Sequence, residues 1–160
     1  IDWRLEMWQL LWQEVPEYLW IGKGYTASAT EYYLASEAVR RDMGKDIEIS
    51  MIAGDYHSGL LSILIPFGIF GVLAFVVLLW AGLRVLILNF QNGPPELRTI
   101  NTFLLSLFAV RVFFYFAVFG SIHSDIATFL GILGLSMALN HGVCRTPRIP
   151  MHGGNPSIAG

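Results

Sequence analysis

The pattern of apolar and polar positions divides the chain near residue 59. Residues 1–59 alternate polar and apolar side chains and carry most of the charge, residues 60–142 are dominated by long apolar runs, and residues 143–160 have no periodicity. A helix needs about 20 apolar residues to cross a bilayer core. Residues 60–83 supply one such run, with Trp80 as an interface anchor, Arg84 just beyond it, and Pro66, Gly68 and Gly71 interrupting its start. The Asn- and Pro-rich stretch 89–95 predicts a loop. Residues 102–119 form a second span with Arg111 at its centre, and residues 122–139 form a third, weakened by His123, Ser124 and Asp125 at its start. The tail from 143 to 160 is expected to be disordered.

Within the polar part, residues 2–15 read as a helix ended by Pro16. Asp2, Glu6, Gln9 and Gln13 share one polar stripe, and Trp8, Leu11, Trp12 and Val15 lie opposite. Arg4 falls on the apolar side, roughly 170° from the polar stripe by the helical period. A charge there must snorkel, pair with an acid such as Glu14 or Asp55, or bind an anion. Ser28-Ala29-Thr30-Glu31 has the form of a capping box and opens a second helix over 29–43, with Tyr32, Ala35, Val39 and Met43 as its apolar side and Gly44 as its stop. Residues 47–52 read as a short extended piece. The expected fold is therefore all-α: a multi-pass helical membrane protein fragment, with a helical extracytoplasmic loop, three transmembrane helices and a disordered tail.

Composition sharpens this picture. Of the residues, 54% are hydrophobic and only 14% charged, and mean hydropathy is +0.55, which suits a membrane protein better than a soluble domain. Residues 1–59 hold five Lys/Arg against ten Asp/Glu, and the remainder holds five arginines against two acids. That is the reverse of a nucleic-acid-binding surface, so no nucleic-acid partner is expected. Counting basic residues at Arg84, Arg98, Arg145 and Arg148 places those ends on the cytoplasmic side, and residues 1–59 and the 120–124 turn on the other. His57 and His123 then lie apart from His141 and His152, and Cys144 is alone, so no metal site and no cofactor are expected. The start, Ile1-Asp2-Trp3, lacks Met and a positive n-region, and the chain reads as the C-terminal portion of a longer protein.

The candidate chemistry sits at the polar–apolar junction. His57, in Gly54-Asp55-Tyr56-His57-Ser58-Gly59, is a titratable group where water would meet lipid. Its bland alternative is a helix-capping residue. Gly22-Lys23-Gly24 could offer N–H groups and an ammonium to a phosphate, although it lacks P-loop spacing and reads more readily as a tight turn with a solvated lysine. Arg40-Arg41 is either a solvated pair or a holder of an anionic head group. Arg111 is a functional candidate by its place within a span, or a partner of Asp125.

Taken in order, Arg4-Leu5-Glu6-Met7-Trp8, Gly22-Lys23-Gly24-Tyr25, Asp55-Tyr56-His57-Ser58-Gly59 and Pro66-Phe67-Gly68-Ile69-Phe70-Gly71 resemble the C-terminal portion of the O-antigen ligase and polymerase family. The resemblance covers residues 1 to about 88, and Ser58 stands where members most often carry Asn. It implies a bacterial inner-membrane, metal-independent, inverting glycosyltransferase. The donor would be an undecaprenyl-diphosphate-linked glycan, and the acceptor lipid A-core or a second lipid-linked glycan. In those terms His57 is the base or acceptor-orienting group and Arg4 the diphosphate clamp. Lys23, Asp55, Arg40, Arg41 and Arg111 are further substrate-binding candidates. The competing class is a transporter or scaffold fragment in which Arg111 and Asp125 line a pathway.

Overall fold

The computed structural model describes residues 2–42, 56 and 58–146, with the side chains of residues 2–4 excepted. Among them there is no strand. Five α-helices follow in order: α1 (Asp2–Tyr18), α2 (Ala29–Arg40), α3 (Leu61–Asn92), α4 (Arg98–Ala117) and α5 (Ile122–Leu139), with a 3-10 turn at Pro95–Leu97 before α4. The stretches over α3, over the 3-10 turn with α4, and over α5 are each long and apolar enough to cross a membrane. The expected extended piece at 47–52, the Gly44 stop and most of the tail lie outside the described residues.

Helix α1 runs on through Pro16 to Tyr18 rather than ending before it. Proline removes one N–H and crowds the preceding turn, but so near a helix end little is lost by continuing. Its buried stripe is Met7, Leu11 and Val15, with Trp8 half-buried and Trp12 half exposed. Arg4 stands on this stripe by its backbone position. Helix α2 starts at the predicted capping box: Glu31 N donates to Ser28 Oγ at 3.3 Å and Ser28 N donates to Glu31 Oε2 at 2.7 Å. It stops earlier than expected, with Asp42 in the left-handed region at φ 54°. Its buried face is also one residue off the prediction: Glu31, Leu34, Ala35, Glu37 and Ala38 are inside, while Tyr32 and Val39 are exposed.

The largest departure is α3. It continues past Trp80 and Arg84 to Asn92, so those two lie within the helix, the Arg84 guanidinium 5.6 Å from the Trp80 ring centroid. Neither residue breaks helical geometry, and the first strong stop is Gly93-Pro94-Pro95. Near its other end α3 is interrupted at Gly68, with φ 65° and ψ −164°. The 24 residues beyond that break span roughly 36 Å at 1.5 Å per residue, enough for a bilayer core.

Two apolar clusters share α3. Met7, Leu11, Val15, Leu34, Ala35 and Tyr56 pack with Leu61, Leu64 and Ile65 at its start. Farther along, Phe75 meets Phe129 and Tyr115, and Phe108 meets Phe129, at centroid separations of 5.0–5.9 Å. At the Gly93 end, the three long helices are tied by amides. Asn101 Nδ2 donates to Asn89 O and to Asn140 Oδ1, each at 3.0 Å, Asn140 Nδ2 returns a bond to Asn101 Oδ1 at 2.7 Å, and Asn89 Nδ2 donates to Ser136 Oγ at 3.0 Å. All four residues are buried. A buried polar group stripped of its partner costs about 1–3 kcal/mol. Asn101→Leu should therefore lower the thermal unfolding midpoint in detergent clearly, although leucine matches the volume, and an unchanged midpoint would show that these bonds carry no net stability.

Candidate functional site

The site region lies where α1, the α1–α2 turn and the start of α3 meet. Its frame is a backbone interlock. Pro66 has no N–H and Gly68 leaves helical geometry, so α3 loses several of its own hydrogen bonds here. The turn after α1 replaces them: Lys23 N donates to Ile65 O at 2.9 Å, Gly24 N to Pro66 O at 3.0 Å, and Ile69 N to Leu19 O at 2.7 Å. Contact is so close that a Cβ on Gly22 would stand 2.2 Å from Pro66 O, and one on Gly68 2.4 Å from Trp20 O. Two sequence motifs more than forty residues apart are thus a single structural unit.

The Lys23 and Gly24 N–H groups are therefore engaged by α3 rather than open to a phosphate. Nor is Lys23 solvated: its side chain is 6% exposed and its ammonium pairs with Glu31, itself buried. The same Glu31 Oε1 accepts from the Tyr56 hydroxyl, and Oε2 caps α2. One carboxylate thus joins the glycine turn, α2 and the residue before His57. Such a cluster is stable only because each charge keeps a partner. Burial, then the hydrogen bond to Glu31, raises the Tyr56 hydroxyl well above the ordinary phenol range. Since the folded value is raised, this contribution is fully present below the unfolded value of about 10 and is lost as pH rises through and beyond it. Alkaline unfolding above about pH 10 should accordingly be steeper in the native protein than in Tyr56→Phe, and identical curves would contradict the buried phenol.

Tyr56 is held a second time: Trp8 Nε1 donates to Tyr56 O at 3.1 Å. This bond brings the α1 stripe carrying Arg4 to the residue preceding His57. On the other side, Gly59 O accepts from Tyr115 OH at 2.8 Å and from Ser62 Oγ at 3.0 Å. Gly59 and Gly120 pack closely around Tyr115, where a Cβ on Gly59 would fall 2.3 Å from Tyr115 O. His57, Asp55 and the Arg4 side chain lie outside the described residues. The N-cap of α3 is Leu60, with no side-chain cap, three positions beyond His57.

The remaining candidates are dispersed. Arg40 pairs with Glu37 at 2.6 Å, and Arg41 with Glu6 of α1 at 2.9 Å and Glu37 at 3.6 Å, so Arg41 ties the end of α2 to α1. The bond from Arg40 holds the Glu37 carboxyl below its ordinary range. Arg111 Nη1 is 3.9 Å from Asp125 Oδ1, and Asp125 Oδ2 accepts from Ser121 N at 3.0 Å. Arg111 lies toward the C-terminal end of α4 and is half exposed, not central and enclosed. An apolar groove of about 440 Å³ runs between α3 and α5, lined by Ile63, Phe67, Phe75 and Ile126, with Tyr25 and His123 beside it. Their ring centroids are 5.1 Å apart.

No family model, no curated protein and no solved structure matches the chain.

From the sequence Glu31 reads only as the capping-box residue, and Tyr56 and Tyr115 are given no role of their own. Glu31 had a readable signal, because Leu34, Ala35 and Ala38 follow it at helical spacing and put it on their face. The partnership of Tyr115 with Gly59 spans 56 positions and leaves no local pattern.

Proposed function

We propose that this chain transfers a glycan from a polyprenyl diphosphate, such as undecaprenyl diphosphate, to a sugar hydroxyl on lipid A-core, in the manner of an O-antigen ligase, or on a second lipid-linked glycan, in the manner of the related polymerases. Its setting would be a bacterial inner membrane, with residues 1–59 on the periplasmic side. The observation that carries the reading is the hydrogen bond from Trp8 to Tyr56, which draws the Arg4-bearing face of α1 to the segment containing His57.

In this reading His57 accepts the proton of the attacking hydroxyl or orients it, a task suited to an imidazole with an ordinary pKa of about 6.5. The departing diphosphate gains negative charge as the glycosidic bond breaks, and the Arg4 guanidinium stabilises it through paired N–H donors. Asp55 would bind the substrate beside His57. Lys23, already neutralised by Glu31, serves the interlock. Arg40, Arg41 and Arg111 bind anions only by giving up their acidic partners.

The transporter reading gains no comparable support. Arg111 and Asp125 satisfy one another, and the break in α3 falls near its N-terminal end, whereas transporter sites use helices broken near the midplane. The deciding experiment is deletion of the full-length gene followed by gel analysis of surface polysaccharide. Unmodified core with lipid-linked polymer accumulating supports the ligase reading, single repeats on core support the polymerase, and an unaltered profile removes both.

A further inference from the structure

We infer that Trp8, Glu31 and Tyr115 are positioning residues for the reaction, acting on Tyr56, which precedes position 57, and on Gly59, two residues after it. The inference rests on the glycosyl-transfer reading above. Three bonds from three different elements converge on a very short segment. Glu31, in the first turn of α2, receives the Tyr56 hydroxyl. Trp8, on α1, donates to the Tyr56 carbonyl at 3.1 Å, and that carbonyl belongs to the peptide linking Tyr56 to His57. Tyr115, on α4, donates to Gly59 O at 2.8 Å.

The chemistry of these anchors argues for alignment over bulk stability. Each bond is made by a polar tip to a backbone atom or another tip, and the rings of Trp8 and Tyr115 that also pack in the two apolar clusters can be kept when that tip is removed. Tyr56 is fully buried among Met7, Leu11, Leu34 and Leu61, and would stay enclosed without its hydroxyl. Gly59 O retains Ser62 as a donor if Tyr115 is lost. Restraining both sides of a reacting group holds down its excursions, and a misplacement of about 1 Å can cost on the order of a hundredfold in rate. Burial of Glu31 and Tyr115 also shields their bonds from competing water.

The test uses the full-length protein in detergent, with a synthetic undecaprenyl-diphosphate-linked oligosaccharide as donor and lipid A-core as acceptor. Trp8→Phe, Tyr56→Phe and Tyr115→Phe remove the bonds to Tyr56 O, Glu31 and Gly59 O respectively, the last also ending the 3.2 Å contact with Ser62 Oγ, and each keeps a ring in place. Ser36→Ala, which removes an exposed bond to Tyr33 O, is the matched control. The expected result is a fall in kcat of roughly tenfold or more in each of the three. KM for the donor should stay near that of the control, with kcat compared per folded protein so that any loss of stability is separated from loss of rate. Control-like kcat in all three, or losses that track the folded fraction, would overturn the positioning role. His57→Ala in the same assay separates the two claims. Inactive His57→Ala beside fully active anchor variants refutes the positioning role alone. Full activity in His57→Ala, or none in the native protein, removes the transfer reading and this inference with it.

Discussion

Gly68→Ala should unseat the α1–α2 turn from the break in α3, with a loss of about 3 kcal/mol or more of stability. Two costs combine. At φ 65° and ψ −164° the backbone occupies a region essentially reserved for glycine. The new methyl would also stand 2.4 Å from Trp20 O, a backbone atom that cannot rotate away. Relief requires the turn to move, and its bonds to Ile65 O and Pro66 O go with it. Gly24→Ala separates the two costs, because Gly24 has φ +73° but nothing within 4 Å of an added Cβ. It should lose only about 1–2 kcal/mol. Thermal unfolding of both variants in detergent reads the difference. Equal losses would mean that the close approach of the two backbones contributes nothing.

Much of the architecture was legible because it rests on local rules. The S-x-x-E capping box set the start of α2, and the apolar run with its flanking polar turns set α5 at 122–139, as observed. Where the sequence misled, the competing term is identifiable. Trp80 and Arg84 resemble a membrane border, yet no helix-breaking residue follows until Gly93, so α3 continues. Tyr32 and Val39 drew the expected apolar face of α2 one step round the helix, while Leu34 and Ala38, with the expected Ala35, are the apolar residues inside. Burial of Glu31 runs against composition, and only its pairing with Lys23 and Tyr56 permits it.

The site was legible in outline only. The order of the motifs suggested that Arg4, the glycine turn and the His57 segment belong together, and the structure joins their described parts through Trp8, Tyr56 and the α3 break. Lys23 was read as solvated because Gly-Lys-Gly has the form of an exposed turn; what encloses it is a helix break more than forty residues away. The Asn89–Asn101–Asn140 amides escaped notice for the same reason, since reciprocal bonds across 39 positions leave no periodic trace.

Glycan transfer by His57→Ala in the full-length protein, at matched expression and membrane insertion, is the most direct measure of the account. A positioned general base contributes typically a factor of about 10² to 10⁴ in rate. Transfer from a polyprenyl-diphosphate-linked donor should therefore drop by at least about a hundredfold, while the purified variant unfolds at the native temperature. Transfer at the native rate would contradict it.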